Sequence, residues 1–524
     1  MASDPRYWQL AGWRGDICAL LGGGLLTLSL APFDWWPLGI LSAALLAWLL
    51  RWQSAGSGFK RAIWFGLGLY GSGASWVYVS IHQFGMAPPW LAATLTGLFA
   101  LGMAIVFAAP FYVYCRWFVP SRPGYLAAFP AIWVLGEWLR SWLLTGFPWL
   151  YLGYGHVDTW LAGWAPVFGV FGVSYLAVFT GVALSYCIYD LVRAKRQPPG
   201  YRCKPVQTGL TLAAVTLVWL LGLALHNLRW AQPDGEPVSI GMVQANIPQE
   251  LKWQPFYLTE TLAIYRELSQ DAWGMDWVIW PEAAMPLLYH DAEVFLAEFE
   301  ERADATDTAF MSGIIYDDPG TGDYYNTIIG LGEASGVYHK QRLVPFGEYV
   351  PLEHWLRGLI DFFDLPTSII DSGPKGQHGL KAKGVRVSPY ICYEVVYPDL
   401  VAANGWDSDF LITISNDAWF GDSIGPLQHF QMARMRALEN GRYMVRATNN
   451  GISGIIDAMG QVVVSGGRFT RELITGEAVP MKGHTPFAHW LSLPVVLGCF
   501  TNLALVGFMR RRRNLVRQLM QPQI

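Results

Sequence analysis

The sequence predicts two fold classes in one chain: a polytopic α-helical membrane domain of eight transmembrane helices and a layered α/β domain. Three observations carry this. Only 15% of the 524 residues are charged and 53% are hydrophobic, where an ordinary soluble domain is about 25% charged. Apolar runs near the ~20 residues needed to cross a bilayer recur up to residue 227 and return once after residue 485. Between them, residues 228–485 hold most of the polar sequence, and short β-branched and aromatic runs alternate there with longer amphipathic ones. That is the pattern of strands and helices packed in layers, in a region long enough for a core of its own.

The expected domains are therefore 1–227 with seven transmembrane helices, 228–485, and 486–524 with the last span and a basic tail. The spans are expected near residues 16–30, 36–50, 62–80, 89–114, 125–144, 163–191, 207–225 and 487–509. Pro32-Phe33-Asp34 turns the first pair into a hairpin; a removable leader would not be followed at once by a second apolar run. Arg6 and Arg14, then Arg51, Lys60 and Arg61, then Arg116 and Arg122, then Arg193, Lys195, Arg196, Arg202 and Lys204, then Arg510 through Arg513 fall in alternate connections. The connections around Asp34, 82–88 and 153–159 carry no Lys or Arg. The positive-inside rule sets the basic connections and both termini in the cytoplasm and residues 228–485 on the far face, the periplasm of a bacterium. Glu137 and Arg140 stand three apart on one helical face, either as an ion pair or as a lining for polar lipid headgroups. Trp149, Tyr151 and Tyr154 fit an interfacial aromatic belt.

A net charge of −4 excludes the basic face of a nucleic-acid binder. The six cysteines, Cys18, Cys115, Cys187, Cys203, Cys392 and Cys499, form no CxxC or Cys/His cluster, so neither a metal site nor a disulfide framework is expected, and no cofactor is implied. In the middle region, strands are expected at 238–244, 277–280, 309–315, 327–331, 385–392, 410–415, 444–448 and 454–457, and helices at 256–271, 292–305 and 427–441.

Three chemical groups stand at ends of these strands. Trp277-Val278-Ile279-Trp280 runs into Pro281 and Glu282, where partial desolvation is expected to raise the carboxyl toward neutrality. Val337-Tyr338-His339 runs into Lys340, with Glu348 eight residues on. The strand from Val385 ends in Cys392-Tyr393-Glu394. Taken alone, Cys392 reads equally as a small buried hydrophobe. As a series, the three form a working set, because a cysteine attacks as thiolate and needs a base and a cation. Glu282 suits the base. Lys340 suits the cation and, with a backbone N–H after Cys392, an oxyanion site. Asp417 and His429 are read as packed or hydrogen-bonded residues outside this set.

Trp280-Pro281-Glu282, Lys340 with Leu343-Val344-Pro345-Phe346-Gly347-Glu348, and Cys392-Tyr393-Glu394 resemble the three signature segments of the nitrilase superfamily. With seven spans before and one after, and with Gln244-Ala245-Asn246-Ile247-Pro248-Gln249, Lys252-Trp253 and the stretch Gln428 to Arg434, nearly the whole chain is similar to the bacterial apolipoprotein N-acyltransferases. The resemblance implies an αββα sandwich and a Glu282–Lys340–Cys392 triad, with Trp253, Glu348, Tyr393 and Glu394 contacting substrate or orienting the triad. It implies a phospholipid acyl donor, a thioester on Cys392, and transfer to the α-amino group of a diacylglyceryl apolipoprotein, by a multi-pass enzyme of the inner membrane. Two other readings compete. A membrane-tethered amidase would share the triad but use water. A transporter would bind peptide or lipid on its outer domain, though the spans show no clear internal repeat.

Trp355, Leu356, Leu359, Ile360, Phe362 and Phe363 crowd the stretch 349–374, which reads either as a lid dipping into the membrane interface or as a helix packed on the domain. If it is a lid, replacing Trp355 and Phe362 with Ser slows acylation by phospholipid more than it lowers thermal stability. Equal losses in the two measurements would leave only the packed helix.

Overall fold

The computed structural model describes residue 10 and residues 12–196, 205–345, 347–349 and 370–519. Residues 350–369 of the expected lid, and Cys203, lie outside the described residues. The chain divides into two units, one of Met1–Ser75, Ala93–Leu228 and Ser492–Ile524, the other of Trp76–Ala92 and Arg229–Leu491.

The helices over the apolar segments are Trp13–Thr27, Trp36–Leu50, Ala55–Gly73, Pro89–Trp117, Gly124–Ala128 continuing as Phe129–Arg140, Ala165–Arg196, Pro205–His226 and Leu493–Leu519. Among the described residues, the segments long and apolar enough to cross a membrane are Pro89–Trp117, Trp160–Val192, Pro205–His226 and Leu493–Val516. Trp13–Thr27 and Trp36–Leu50 have 15 residues each. That is about 22 Å of rise, short of a ~30 Å hydrocarbon core.

Three expected boundaries are corrected. The segment expected to reach residue 80 ends at Gly73. Beyond it, Trp76 packs edge-on against Phe420 at 4.8 Å, Phe84 against Trp419 at 6.0 Å, and the Ser80 hydroxyl donates to the Trp419 carbonyl at 2.7 Å, all within the second unit. The segment expected to reach 144 stops at Arg140, where the Phe147 N–H returns to the Arg140 carbonyl at 2.7 Å and Arg140 Nη1 donates to the Trp149 carbonyl at 3.1 Å. The final helix starts at Leu493, not near 487, because Pro486–Trp490 is a separate turn capped by Thr485, and Leu491 at φ +57° breaks the helix.

Glu137 and Arg140 are both buried, and among the described residues they form no ion pair. Glu137 Oε1 accepts from Trp133 Nε1 at 2.9 Å and from the Leu152 N–H at 3.0 Å, and the Arg140 guanidinium lies over the Tyr70 and Tyr151 rings. Each therefore anchors the irregular chain after residue 140 rather than the other. Several basic residues of the connections expected on one face are also tied down. Buried Arg61 donates to the Leu10 and Leu49 carbonyls, Arg122 to the Gln207 carbonyl, and the Arg51 guanidinium stacks over Tyr189 at 4.0 Å.

The second unit is an αββα sandwich. Its strands are β1 (Val238–Gln244), β2 (Trp277–Ile279), β3 (Ala309–Asp317), β4 (Tyr324–Gly332), β5 (Ala334–Ser335), β6 (Val337–His339), β7 (Leu380–Ala382), β8 (Val385–Ile391), β9 (Phe410–Ser415), β10 (Met444–Thr448), β11 (Gly454–Ile456), β12 (Val462–Ser465) and β13 (Glu472–Ala478). One sheet has the order β13-β1-β2-β3-β4-β6 and the other β12-β11-β10-β9-β8-β7-β5. The centre of each is parallel, β1-β2-β3 and β8-β9-β10, and the flanks are antiparallel.

Alternation along each strand fills the layers. Trp277 and Ile279 point between the sheets toward Phe410, Ile412 and Ile391, whereas Val278 and Trp280 point out toward Leu262, Tyr265, Leu296 and Phe299 of helices α1 (Leu258–Ser269) and α2 (Glu293–Ala305). Strands buried on both faces read as unbroken apolar runs, which is why the central ones were visible in the sequence. The other outer layer holds α3 (Pro398–Asn404) and α4 (Gly425–Asn440).

The turn after β2 fits because β3 offers a glycine beneath it. A Cβ on Gly313 would stand 2.5 Å from the Pro281 oxygen, 2.7 Å from the Ala283 nitrogen and 2.8 Å from the Glu282 Cα. Gly313→Ala is expected to lower stability by about 1–3 kcal/mol in denaturant unfolding and, by shifting the Glu282 turn, to reduce turnover as well. Wild-type values in both assays would show that the turn is not seated as described.

Candidate active site

Glu282 sits in a tight turn just past β2. The Trp280 N–H donates to the Met311 carbonyl at 2.9 Å, the Ala284 N–H to the Gly313 carbonyl at 2.9 Å, and Ala283 takes the left-handed φ of +44° between them. This clamps the carboxylate into the end of the sandwich. Glu282 Oε1 accepts from Lys340 Nζ at 3.1 Å and from Asn326 Nδ2 at 2.7 Å, and Oε2 accepts from the Asn416 N–H at 2.8 Å.

Lys340 follows β6 directly, and its N–H donates to the Asn326 carbonyl at 2.8 Å. Its buried ammonium bridges Glu282 and Glu348 Oε1, the latter at 2.9 Å. Glu348 is fixed in turn, accepting from Asn326 Nδ2 at 3.0 Å and from the Val344 N–H at 2.8 Å. Burial would lower the Lys340 pKa, but the two carboxylates hold it well above the ordinary lysine value.

Cys392 is a free, partly exposed thiol just past β8, with φ +51°, and it packs against the core between the sheets. Burial, and then the nearby Glu282 carboxylate, push its pKa well up, and Lys340 offsets only part of this. The resting sulfur is therefore a thiol. A left-handed φ at a non-glycine residue costs of order 1–2 kcal/mol, so the surroundings must hold this elbow in place. Glu394 does so from one side. Its carboxylate accepts from the Ile391 N–H at 2.8 Å, the Gln341 N–H at 2.7 Å, the Arg342 N–H at 3.2 Å and the Tyr338 hydroxyl at 3.0 Å. One side chain thus ties the cysteine strand to the chain leaving Lys340. Burial raises the Glu394 carboxyl to about 7, against the pull of the Ile391 and Gln341 N–H donors.

The other two residues expected to support the site differ in setting. Tyr393 is buried with its ring edge-on to Tyr397 at 5.5 Å. Trp253 is 43% exposed, free to meet a ligand, at the end of the short helix Gln249–Lys252.

The sequence reading marked the stretches holding Lys252 and Asn416 but gave neither residue a role, and it passed over Asn326. Lys252 is buried and donates to the Glu282 carbonyl at 3.0 Å. Burial lowers its ammonium to about 8, with Glu282 and Cys392 opposing. Its presence corrects one expectation. Burial alone would raise the Glu282 carboxyl, but Lys340 and Lys252, with the Asn326 amide, hold it below the usual glutamate range. Glu282 is thus ionised and ready to accept a proton at neutral pH. Asn416 also donates from Nδ2 to Gln249 Oε1 at 2.7 Å and accepts from Asn449 at 3.1 Å, linking the site to the loop after β1. The signals for Lys252 and Asn416 were faint: a lysine beside Trp253, and the polar run Ser415-Asn416-Asp417 ending an apolar strand. Among the described residues there is no cluster suited to a metal ion.

Two family models match the chain, apolipoprotein N-acyltransferase N-terminal domain over residues 22–183 and carbon-nitrogen hydrolase over residues 239–480. The apolipoprotein N-acyltransferase of Pseudomonas syringae pv. tomato is 45% identical over 502 residues, covering 94% of this chain and 96% of its own length. That of Pseudomonas aeruginosa PAO1 is 44% identical over 511 residues, with 96% and 98% covered. That of Coxiella burnetii is 38% identical over 483 residues, with 92% and 97% covered. Among solved structures, a CN-hydrolase superfamily protein from Xanthomonas campestris aligns with a TM-score of 0.37 at 18% identity, over 50% of this chain and 97% of its own.

Lys252→Met removes one of the two ammonium groups that keep Glu282 ionised. A carboxyl freed from a nearby cation titrates at higher pH, so the acid limb of the pH–rate profile for alkylation of Cys392 is expected to move upward. An unmoved acid limb would take Lys252 out of the charge balance.

Proposed function

The chain belongs to the apolipoprotein N-acyltransferase family, and we propose that it performs the transfer through a thioester on Cys392 with a phospholipid as acyl donor. As a member of that family it is an acyltransferase of lipoprotein biosynthesis built on a carbon-nitrogen hydrolase fold. The observation that carries the proposal is the convergence of Lys340 on the Glu282 and Glu348 carboxylates within the electrostatic reach of Cys392.

The reaction has two halves. In the first, the Cys392 sulfur attacks the ester carbonyl of the phospholipid while its proton passes to Glu282. The oxyanion that forms is met by Lys340 and by the Tyr393 N–H. Collapse breaks the acyl–oxygen bond, Glu282 returns the proton to the glycerol oxygen, and lysophospholipid leaves. In the second, the neutral α-amine of the diacylglyceryl-cysteine attacks the thioester, Glu282 takes the amine proton, and that proton returns to the sulfur as it departs. Both halves use one base and one oxyanion site, so the kinetics are ping-pong. A neutral resting thiol fits this sequence, since the proton moves only as the sulfur–carbon bond forms.

Glu348 and Glu394 are positioning residues in this scheme, buried Tyr393 lends its backbone N–H, and half-exposed Trp253 is read as a substrate contact. We read residues 1–227 as seven spans, 228–485 as the periplasmic catalytic domain, and 486–524 as the last span with a cytoplasmic tail in the inner membrane. The support is the alternation of basic and uncharged connections and the packing of Arg51, Arg61 and Arg122 against neighbouring helices of one unit.

Purified protein incubated with phospholipid alone should accumulate an acyl adduct on Cys392, visible by intact mass and lost on treatment with hydroxylamine. Cys392→Ser should lower turnover at least ~1,000-fold, whereas Cys18→Ser and Cys499→Ser should leave it intact. Steady release of free fatty acid without an adduct would favour the amidase-like reading instead.

A further inference from the structure

A buried cluster behind the cysteine has no part in the chemistry above. Asp417, His429 and Arg446 are all almost fully buried. Arg446 Nη2 donates to Asp417 Oδ2 at 2.7 Å and to His429 Nδ1 at 3.0 Å, and the Ser415 hydroxyl donates to Asp417 Oδ1 at 2.7 Å. Asp417 Oδ1 also stands 3.2 Å from His429 Nδ1. On its far side, His429 Nε2 lies 3.1 Å from the carbonyl oxygen of Cys392.

These contacts decide the state of the ring. A guanidinium is always protonated, so toward Nδ1 it is a donor and Nδ1 is the acceptor. Burial and the Arg446 charge also push the His429 pKa down, against Asp417. His429 is therefore the neutral tautomer with its proton on Nε2, and that proton is donated to the Cys392 carbonyl. With both nitrogens engaged, the ring is not placed to take a proton from the thiol.

A carbonyl held by a side chain fixes more than itself. The Cys392–Tyr393 peptide is trans, so it is planar and its C=O and N–H point in opposite directions. Fixing the oxygen toward α4 fixes the Tyr393 N–H away from α4. Glu394 holds the peptide nitrogen before the elbow at Ile391, and His429 holds the carbonyl at the elbow, so the strained residue is clamped on both sides.

We infer that His429 is a positioning residue: by holding the Cys392 carbonyl it aims the Tyr393 N–H at the oxyanion of the tetrahedral intermediate. The inference rests on the acyl-enzyme reading above. Arg446 and Asp417 set the tautomer that lets His429 do this. The role is specific to steps that build an oxyanion.

Two reactions of the same thiol separate this role from a purely structural one. Alkylation by iodoacetamide is a displacement at carbon and forms no oxyanion; acylation by phospholipid forms one. For His429→Leu, acylation is expected to fall ~100-fold or more, the order seen when an oxyanion donor is lost, while alkylation changes less than about threefold. For His429→Gln, whose amide N–H can still reach a carbonyl, acylation should recover at least about tenfold over the Leu variant. Equal losses in both reactions, or unimpaired acylation in His429→Leu, would overturn the inference. If the Leu variant does not fold, His429→Asn, polar but too short to reach the carbonyl, is expected to show the same split. The wild-type adduct, scored in the same experiment, tests the acyl-enzyme reading separately.

Discussion

The Glu282 carboxylate is the interaction on which the catalytic unit depends. Its donors come from three places: Asn326 on β4, Lys340 past β6, and the Asn416 N–H past β9. The first two belong to one sheet and the third to the other, so the carboxylate proposed as the base also bolts the sandwich shut at this end. Lys252 and Lys340 face Glu282 and Glu348, two cations against two anions, and the buried cluster is neutral as a whole. Removing one member strands a charge out of water, which costs of order 3–5 kcal/mol. Stability and chemistry are therefore coupled at this site, and the activity of a triad variant has to be judged beside its fold.

Burial, together with the neutrality of the cluster, sets the resting state of the cysteine. An unbalanced lysine beside a thiol would yield a standing thiolate. Here burial and the Glu282 charge keep the proton on the thiol, and the lysine, already answered by carboxylates, offsets only part of that. Ionised Glu282 stands ready to receive it.

The sequence was most legible where burial is most complete. Trp277 to Trp280 and Phe410 to Ser415 are covered on both faces, so both strands were visible in the sequence, and the end of the first led directly to Glu282. Edge strands were not legible. β13 alternates charged, glycine and apolar residues over a half-exposed face, and β5 and β7 are only two or three residues long. Lys252 escaped because a helix of only four residues carries it into the site, too short to leave a periodicity. The contrast between Glu137 and Arg140 has a similar origin. Spacing brought the two onto one helical face, but each found its partner in the irregular chain beyond residue 140. The short helix Trp13–Thr27 likewise ends at a turn, although Leu28, Leu30 and Ala31 continue the apolar run.

The segment Trp76–Ala92 belongs with the catalytic unit although all of Ala93–Leu228 separates it from Arg229, where the rest of that unit begins. Its Ser80 hydroxyl reaches a carbonyl 339 positions later in the chain. During synthesis this piece is made well before Trp419 and Phe420 emerge. A chain that stops before Asn416 therefore carries this piece without the residues it packs against. For the same reason a gene cut at residue 228 would not yield two self-sufficient halves: the downstream product would lack the piece that covers Phe420.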